Sequence, residues 1–182
     1  MSLPTLGTLH VEPADTRTDL LAEPVRAALS AWWHSAGVGV AEIDPDLADT
    51  AACSEAHAVP LEAGANCVVV AGKRDGEERV AACLVRSDTR VDANFRVKRL
   101  LDVRKCSFLS MDRAVEESAM EYGGITPIGL PAHWRLLVDA RVLDLDVALI
   151  GSGVRRSKLL LPGQLFADLP GAEVIPDLAH PR

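Results

Sequence analysis

A mixed α/β single domain of the α+β type is the fold class that this sequence predicts, and three observations carry it. Cys67–Ala71 is a continuous apolar run of strand length, the pattern of a central strand buried on both faces. Lys73-Arg74-Asp75-Gly76 then reads as a turn and Val80–Arg86 as the returning strand, giving an antiparallel hairpin. Along the 182 residues, about six or seven strand segments are interrupted by about four or five helical ones, with no internal repeat.

The elements follow in order. Thr8–Val11 is a candidate short strand. Thr18 or Asp19 caps a helix running to about His34, with Leu20, Leu21, Val25, Ala28, Leu29 and Trp32 on one face and Pro24 in the first turn. Trp32 and Trp33 read as core and rim, a ligand platform being the alternative. Gly37 ends that helix and Val38–Ile43 is a strand. Asp44 or Asp46 caps a helix over Asp46–Ala58, Pro60 stops it, and Leu61–Ala65 is a link of one helical turn. After the hairpin, Asp92 caps a helix from Ala93 to about Lys105. Ser107–Leu109 is a strand, Asp112–Met120 an acidic helix, Leu136–Val138 a strand and Asp139–Leu143 a helical turn. Val147–Ile150 and Lys158–Leu161 are strands joined through Gly151-Ser152-Gly153, Pro162–Leu169 is a short helix, and Val174-Ile175 closes the tail.

Composition narrows the function. A net charge of −7 argues against generic duplex DNA binding, which draws its affinity from neutralised phosphates. Aromatic residues make up only 4%, which argues against a stacking surface of the single-strand type. There is no secretory signal and no apolar run long enough for a membrane span, so a cytoplasmic protein with no membrane contact is expected. The four cysteines contain no Cys-x-x-Cys pair and the five histidines no ligand spacing; reduced thiols, no metal and no cofactor are expected.

The stretch Glu121–Pro131, EYGGITPIGLP, is the candidate site. Its glycines and prolines exclude a helix or strand interior, yet Ile125, Ile128 and Leu130 between them are apolar. It is either a tight link into a core strand or a buried loop whose main-chain N–H groups at Gly123–Ile125 hold an acyl carbonyl or an oxyanion. Glu121 and Tyr122 either line that pocket or end the preceding helix. Residues 96–105 carry five basic side chains against Asp102 alone, either a solvated face or a contact for phosphates. Arg155, Arg156 and Lys158 place three more cations near the Gly151–Gly153 turn. No Ser-His-Asp or Cys-His constellation is discernible, and Cys67 has no evident base.

The order of apolar strand, hairpin, basic helix, Gly123-Gly124-Ile125-Thr126-Pro127, strand and Ala148-Leu149-Ile150-Gly151-Ser152-Gly153 resembles the YbaK-type aminoacyl-tRNA editing domains, related to the insertion domain of bacterial prolyl-tRNA synthetases. The likeness covers roughly Ala48 to Ala172. It implies a mostly antiparallel, barrel-like sheet wrapped by helices, and hydrolysis of the ester between a wrong amino acid and the tRNA 3′ end. Residues 1–47 are then an N-terminal extension packed on an editing-like domain of residues 48–175, with 176–182 as a tail. The resemblance places the Gly-x-x-x-Pro loop of the family at Gly123–Pro127, as the element that holds the aminoacyl carbonyl and positions water. It adds Asn66, Glu121, Tyr122, Gly151, Ser152 and Gly153 as substrate-binding residues, and Lys98, Arg99, Lys105, Arg155 and Arg156 as tRNA contacts. The partner it implies is the acceptor end of an aminoacyl-tRNA, with a synthetase or a second copy of the chain as further partners left open. One position departs: Asn66 stands where the family has a lysine that contacts the terminal adenosine phosphate. An asparagine supplies hydrogen bonds but no charge. The resemblance therefore leaves two functions, a free-standing deacylase and a tRNA- or nucleotide-binding module of the same fold that has lost hydrolysis, with a purely structural loop as the third.

Overall fold

The structure is a computed structural model and describes residues 3–182. Its elements in chain order are β1 (Glu12–Pro13), α1 (Glu23–Ala31), β2 (Gly39–Glu42), α2 (Thr50–His57), β3 (Ala65–Arg74) and β4 (Glu77–Arg86). There follow β5 (Thr89–Val91), a π-helical turn Ala93–Val97 leading into α3 (Lys98–Leu100), β6 (Cys106–Phe108) and α4 (Met111–Ser118). The chain ends with β7 (Arg135–Asp139), β8 (Ala148–Gly151), β9 (Ser157–Leu161), β10 (Ala172–Ile175) and β11 (Ala179–Pro181). Two open sheets result, ordered β1-β2-β9-β8 and β10-β7-β4-β3-β6, with a small β11-β5 pair beside them. β7 pairs in parallel with β4 on one side and β10 on the other, and the other ladders between the described strands are antiparallel. Among the described residues no helix is long and apolar enough to cross a membrane.

The hairpin is as the sequence predicts. Asp75 and Gly76 have φ values of 51° and 87°, the left-handed pair that a two-residue turn requires. Arg74 therefore pairs with Glu77, and the register runs back to Ala65 opposite Arg86. β3 lies between β4 and β6 and is buried on both faces. Val69 and Ala71 face the core shared with α1 and the other sheet, while Val70 faces Val97 and Leu101. A third cluster, with Cys53, Leu149 and Leu160, packs α2 on the outer face of the first sheet.

Three sequence expectations are corrected. The strand expected at Thr8–Val11 lies instead at Glu12–Pro13, where the chain can pair with Val40 and Gly39. The first helix begins at Glu23, because Thr18–Leu20 is a separate 3-10 turn and Ala22 is extended, with Pro24 in the first helical turn. The basic helix does not reach Lys105: Asp102 takes the left-handed conformation at φ 51°, and the chain turns to follow β3. Asp92 does cap its start, accepting from the Phe95 N–H at 3.1 Å. Residues 39–42, expected within an extension, form an inner strand of the first sheet between β1 and β9.

The C-terminal segment is pinned through Asp139, which is 1% exposed. Its carboxylate accepts from Arg141 Nε at 2.8 Å, Arg141 Nη2 at 2.7 Å and the Arg141 and Ala179 N–H groups at 3.0 and 2.9 Å. Burial alone would raise the Asp139 pKa, but these donors together hold it below the ordinary value. The stabilisation is therefore present above the unfolded carboxylate value of about 3.9 and is lost as pH falls through the lower folded value. Asp139→Asn is expected to cost about 2 kcal/mol, read as a shift of the urea midpoint at pH 7 that shrinks on acidification.

Candidate functional site

Where the two sheets meet beneath α2 they leave a cavity of about 240 Å³. β3 brings Asn66 to its wall, and Asn66 Oδ1 accepts from Thr50 Oγ1 of α2 at 2.9 Å. That bond leaves the Asn66 amide N–H groups for a ligand. The glycine loop reaches the same space from the far side. α4 ends at Ala119 in the left-handed conformation, and Gly123 turns the chain at φ 78°. The loop is zipped to the β8–β9 turn: Glu121 N–H donates to Gly153 O at 2.8 Å, and Gly153 N–H donates to Gly124 O at 2.8 Å. The Gly124 N–H is spent on Glu121 O at 2.9 Å. Gly123 and Ile125 both line the cavity, and their N–H groups find no acceptor among the described residues.

The residue that sequence reasoning missed is Lys158. β9 sets it opposite Gly151 on one side and Ala41 on the other, within a strand that is buried throughout. It is 8% exposed, lines the cavity, and donates from Nζ to Ala48 O at 2.6 Å. Burial pushes its pKa down, opposed by Cys53 and Asp49. Lys158 and Asp49, exposed at the rim, are the only charged residues on the cavity wall among the described residues. The one signal in the sequence was a cation in a strand of leucines, a position seldom given to an unpaired lysine.

Ser87 is a second residue not foreseen. It is 1% exposed on the cavity wall, and its Oγ has no hydrogen-bond partner. An unpaired buried hydroxyl costs about 1–3 kcal/mol, a cost borne at the cavity wall. The cavity holds no reactive thiol. Burial pushes Cys67 up to about 12 and raises Cys53, for which the charge of Lys158 is a weaker, opposing influence.

The sequence candidates fall into groups. Asn66, Tyr122, Gly123, Ile125 and Gly151 line the cavity together. Gly124, Thr126, Ser152 and Gly153 are buried behind its wall, and Pro127 lines a separate apolar groove beside Trp32 and Trp134. Glu121 is a tie to the neighbouring turn, accepting from the Arg155 N–H at 2.6 Å. Arg155 clasps three segments, donating to Tyr122 O at 3.2 Å and Pro45 O at 3.0 Å. Arg156 is exposed and donates to Asp19 O. Lys98, half-buried, and Arg99 and Lys105, both exposed, belong to the layer on the other side of the five-stranded sheet. Lys105 sits beside Gly72, six residues along β3 from Asn66, which is about 20 Å of strand. Lys73 stands beyond it, paired with Glu78 at the remote end of the hairpin. Among the described residues no three His, Cys, Asp or Glu side chains are grouped to hold a metal ion.

This chain belongs to the aminoacyl-tRNA editing domain family, whose model matches residues 44–169. Among solved structures it is similar to a protein proposed as a trans-editing enzyme for prolyl tRNA synthetase, at a TM-score of 0.72 and 19% identity over 85% of this chain and 94% of that one. It is likewise similar to the hypothetical protein APE2540, at a TM-score of 0.73 and 20% identity over 87% of this chain and 100% of that one. At such identities the two likenesses speak to the fold alone. No curated protein matches the chain.

Proposed function

We propose that the protein is an aminoacyl-tRNA deacylase that acts in trans, in the cytoplasm, on the ester of a mischarged tRNA. The observation that carries this reading is that Gly123 and Ile125, whose main-chain N–H groups are unclaimed, line one cavity with the buried cation of Lys158. The membership of the editing-domain family supports it.

The ester carbonyl oxygen accepts from the Gly123 and Ile125 N–H groups, which strengthen their hold as that oxygen becomes an oxyanion. Water adds to the carbonyl carbon, assisted by the vicinal ribose hydroxyl. The tetrahedral intermediate then collapses, the carbon–oxygen bond to the ribose breaks, and the ribose oxygen takes a proton. Free amino acid and an uncharged 3′ end leave. Asp49 meets the α-ammonium of the acyl group at the rim, and Lys158 holds a phosphate or ribose oxygen of the terminal nucleotide. In this arrangement the charge absent at Asn66 enters the cavity from β9. That is why hydrolysis is favoured over a binding module that has lost it.

The test is a deacylation screen across mischarged tRNAs with purified protein. One or more of them is expected to lose its amino acid at a rate proportional to protein concentration. If every charged tRNA stays intact while tRNA still binds, the binding-module reading replaces this one.

A further inference from the structure

We propose that a groove running from Asn66 past Phe108 to Phe95 is the seat of the single-stranded RNA that precedes the acylated nucleotide. The inference rests on the editing reading for which end of the RNA enters the cavity. Its physical basis is separate. The chain has three phenylalanines. Phe166 is fully buried, but Phe108 is 55% and Phe95 is 74% exposed. Phe108, Asn66, Val68 and Arg90 line one groove, and Phe108, Arg90 and Phe95 line the next. The two grooves are therefore continuous, and Asn66 is at once the wall of the first groove and of the deacylation cavity.

The chemistry fits one kind of occupant. Two exposed rings offer faces on which unpaired bases stack, an interaction that tolerates any base. Arg90 is exposed and forms no ion pair among the described residues, so its charge is available to a phosphate. Of the acidic neighbours, Asp88 pairs with Arg86 at 2.6 Å, while Asp92 lies 3.2 Å from His180 Nε2 and accepts from the Phe95 N–H. An RNA strand leaving the cavity at Asn66 thus meets an aromatic ring, a free cation and a second ring in succession. Two of the seven aromatic side chains thus line the path that a strand would take.

The experiment compares a labelled RNA hairpin carrying a short single-stranded 3′ tail with the same hairpin made blunt, by fluorescence anisotropy with the whole protein. The tailed RNA is expected to bind at least about five-fold more tightly, and Phe108→Ala to remove that preference, as a lost stacking ring does. Phe108→Trp keeps it, and Phe95→Ala weakens it. Arg90→Ala lowers the slope of log affinity against log salt by about one. Equal binding of tailed and blunt RNA, or a Phe108→Ala protein that still prefers the tail, overturns the inference. Since no ester is present, a chain that fails to deacylate can still pass this test, and a deacylase that grips its RNA elsewhere fails it.

Discussion

Lys158→Met is expected to lower kcat/KM for deacylation by about 10- to 150-fold while leaving the protein as stable as before or more so. The two effects oppose because of where the charge sits. The ammonium is 8% exposed and has one partner, the Ala48 carbonyl. Taking it out of water costs several kcal/mol, only partly repaid by one hydrogen bond, and a methionine of similar length avoids that cost. A ligand oxygen in the cavity, by contrast, loses a charge-assisted bond. The pH dependence follows from the lowered pKa, which burial causes. Above the folded value and below the ordinary lysine value of about 10.4, the unfolded chain binds more protons, so stability rises with pH in that window. In the same window the charged form disappears from the folded protein, so kcat/KM falls. Thermal melts and deacylation rates of wild type and variant between neutral and alkaline pH read both limbs. A variant that melts earlier and deacylates normally would make Lys158 a structural residue.

The second large effect is expected at Gly151. A Cβ there would be driven into the Gly124 carbonyl oxygen and would lie 2.8 Å from Gly124 C and 3.0 Å from Ile125 O. These are backbone atoms of the loop that presents the Gly123 and Ile125 N–H groups, and no side chain can swing away to make room. Gly151→Ala therefore forces the strand end and the loop apart. A cost of about 1–3 kcal/mol in stability is expected from the overpacking. Turnover is expected to fall by about 100-fold or more, because a displacement near 1 Å misaligns the reacting groups. Gly171→Ala is the control. Its φ of 75° is itself unfavourable for alanine, but nothing lies within 4 Å and the residue is not on the cavity wall, so it should lose stability and keep its turnover. Melting temperature and single-turnover deacylation separate the two cases.

Much of the framework was legible because it is local. An apolar run followed by Asp75-Gly76 specifies a hairpin through the pleat and the turn alone, and both strands lie where that pattern put them. Gly123 was legible as a close approach to backbone and Gly151 as part of a turn, and the structure brings both segments to one cavity with Asn66. Lys158 was not. In the sequence it is one of three cations after a glycine turn, and only the pairing of β9 with both β2 and β8 turns that position inward. Ser87 was invisible for a like reason, since its burial depends on Gly64 packing over it. The basic helix was misread in extent because five cations and a helical period continue through Asp102, whose left-handed backbone breaks the helix without a glycine or proline to announce it.

The insertion of β9 between β2 and β8 also fixes when the site comes into being. Synthesis delivers the β3–β4 hairpin early, and its partners are adjacent in sequence, so it can form while the rest of the chain is still unmade. β2, made earlier still, has to wait for β9, whose Lys158 registers with Ala41, 117 positions earlier in the chain. The wall contributed by Asn66 is thus laid down long before the ammonium that completes it. A nascent chain ending short of Ser157 carries the glycine loop but lacks the cation of its cavity, so the site is complete only when β9 has closed the sheet.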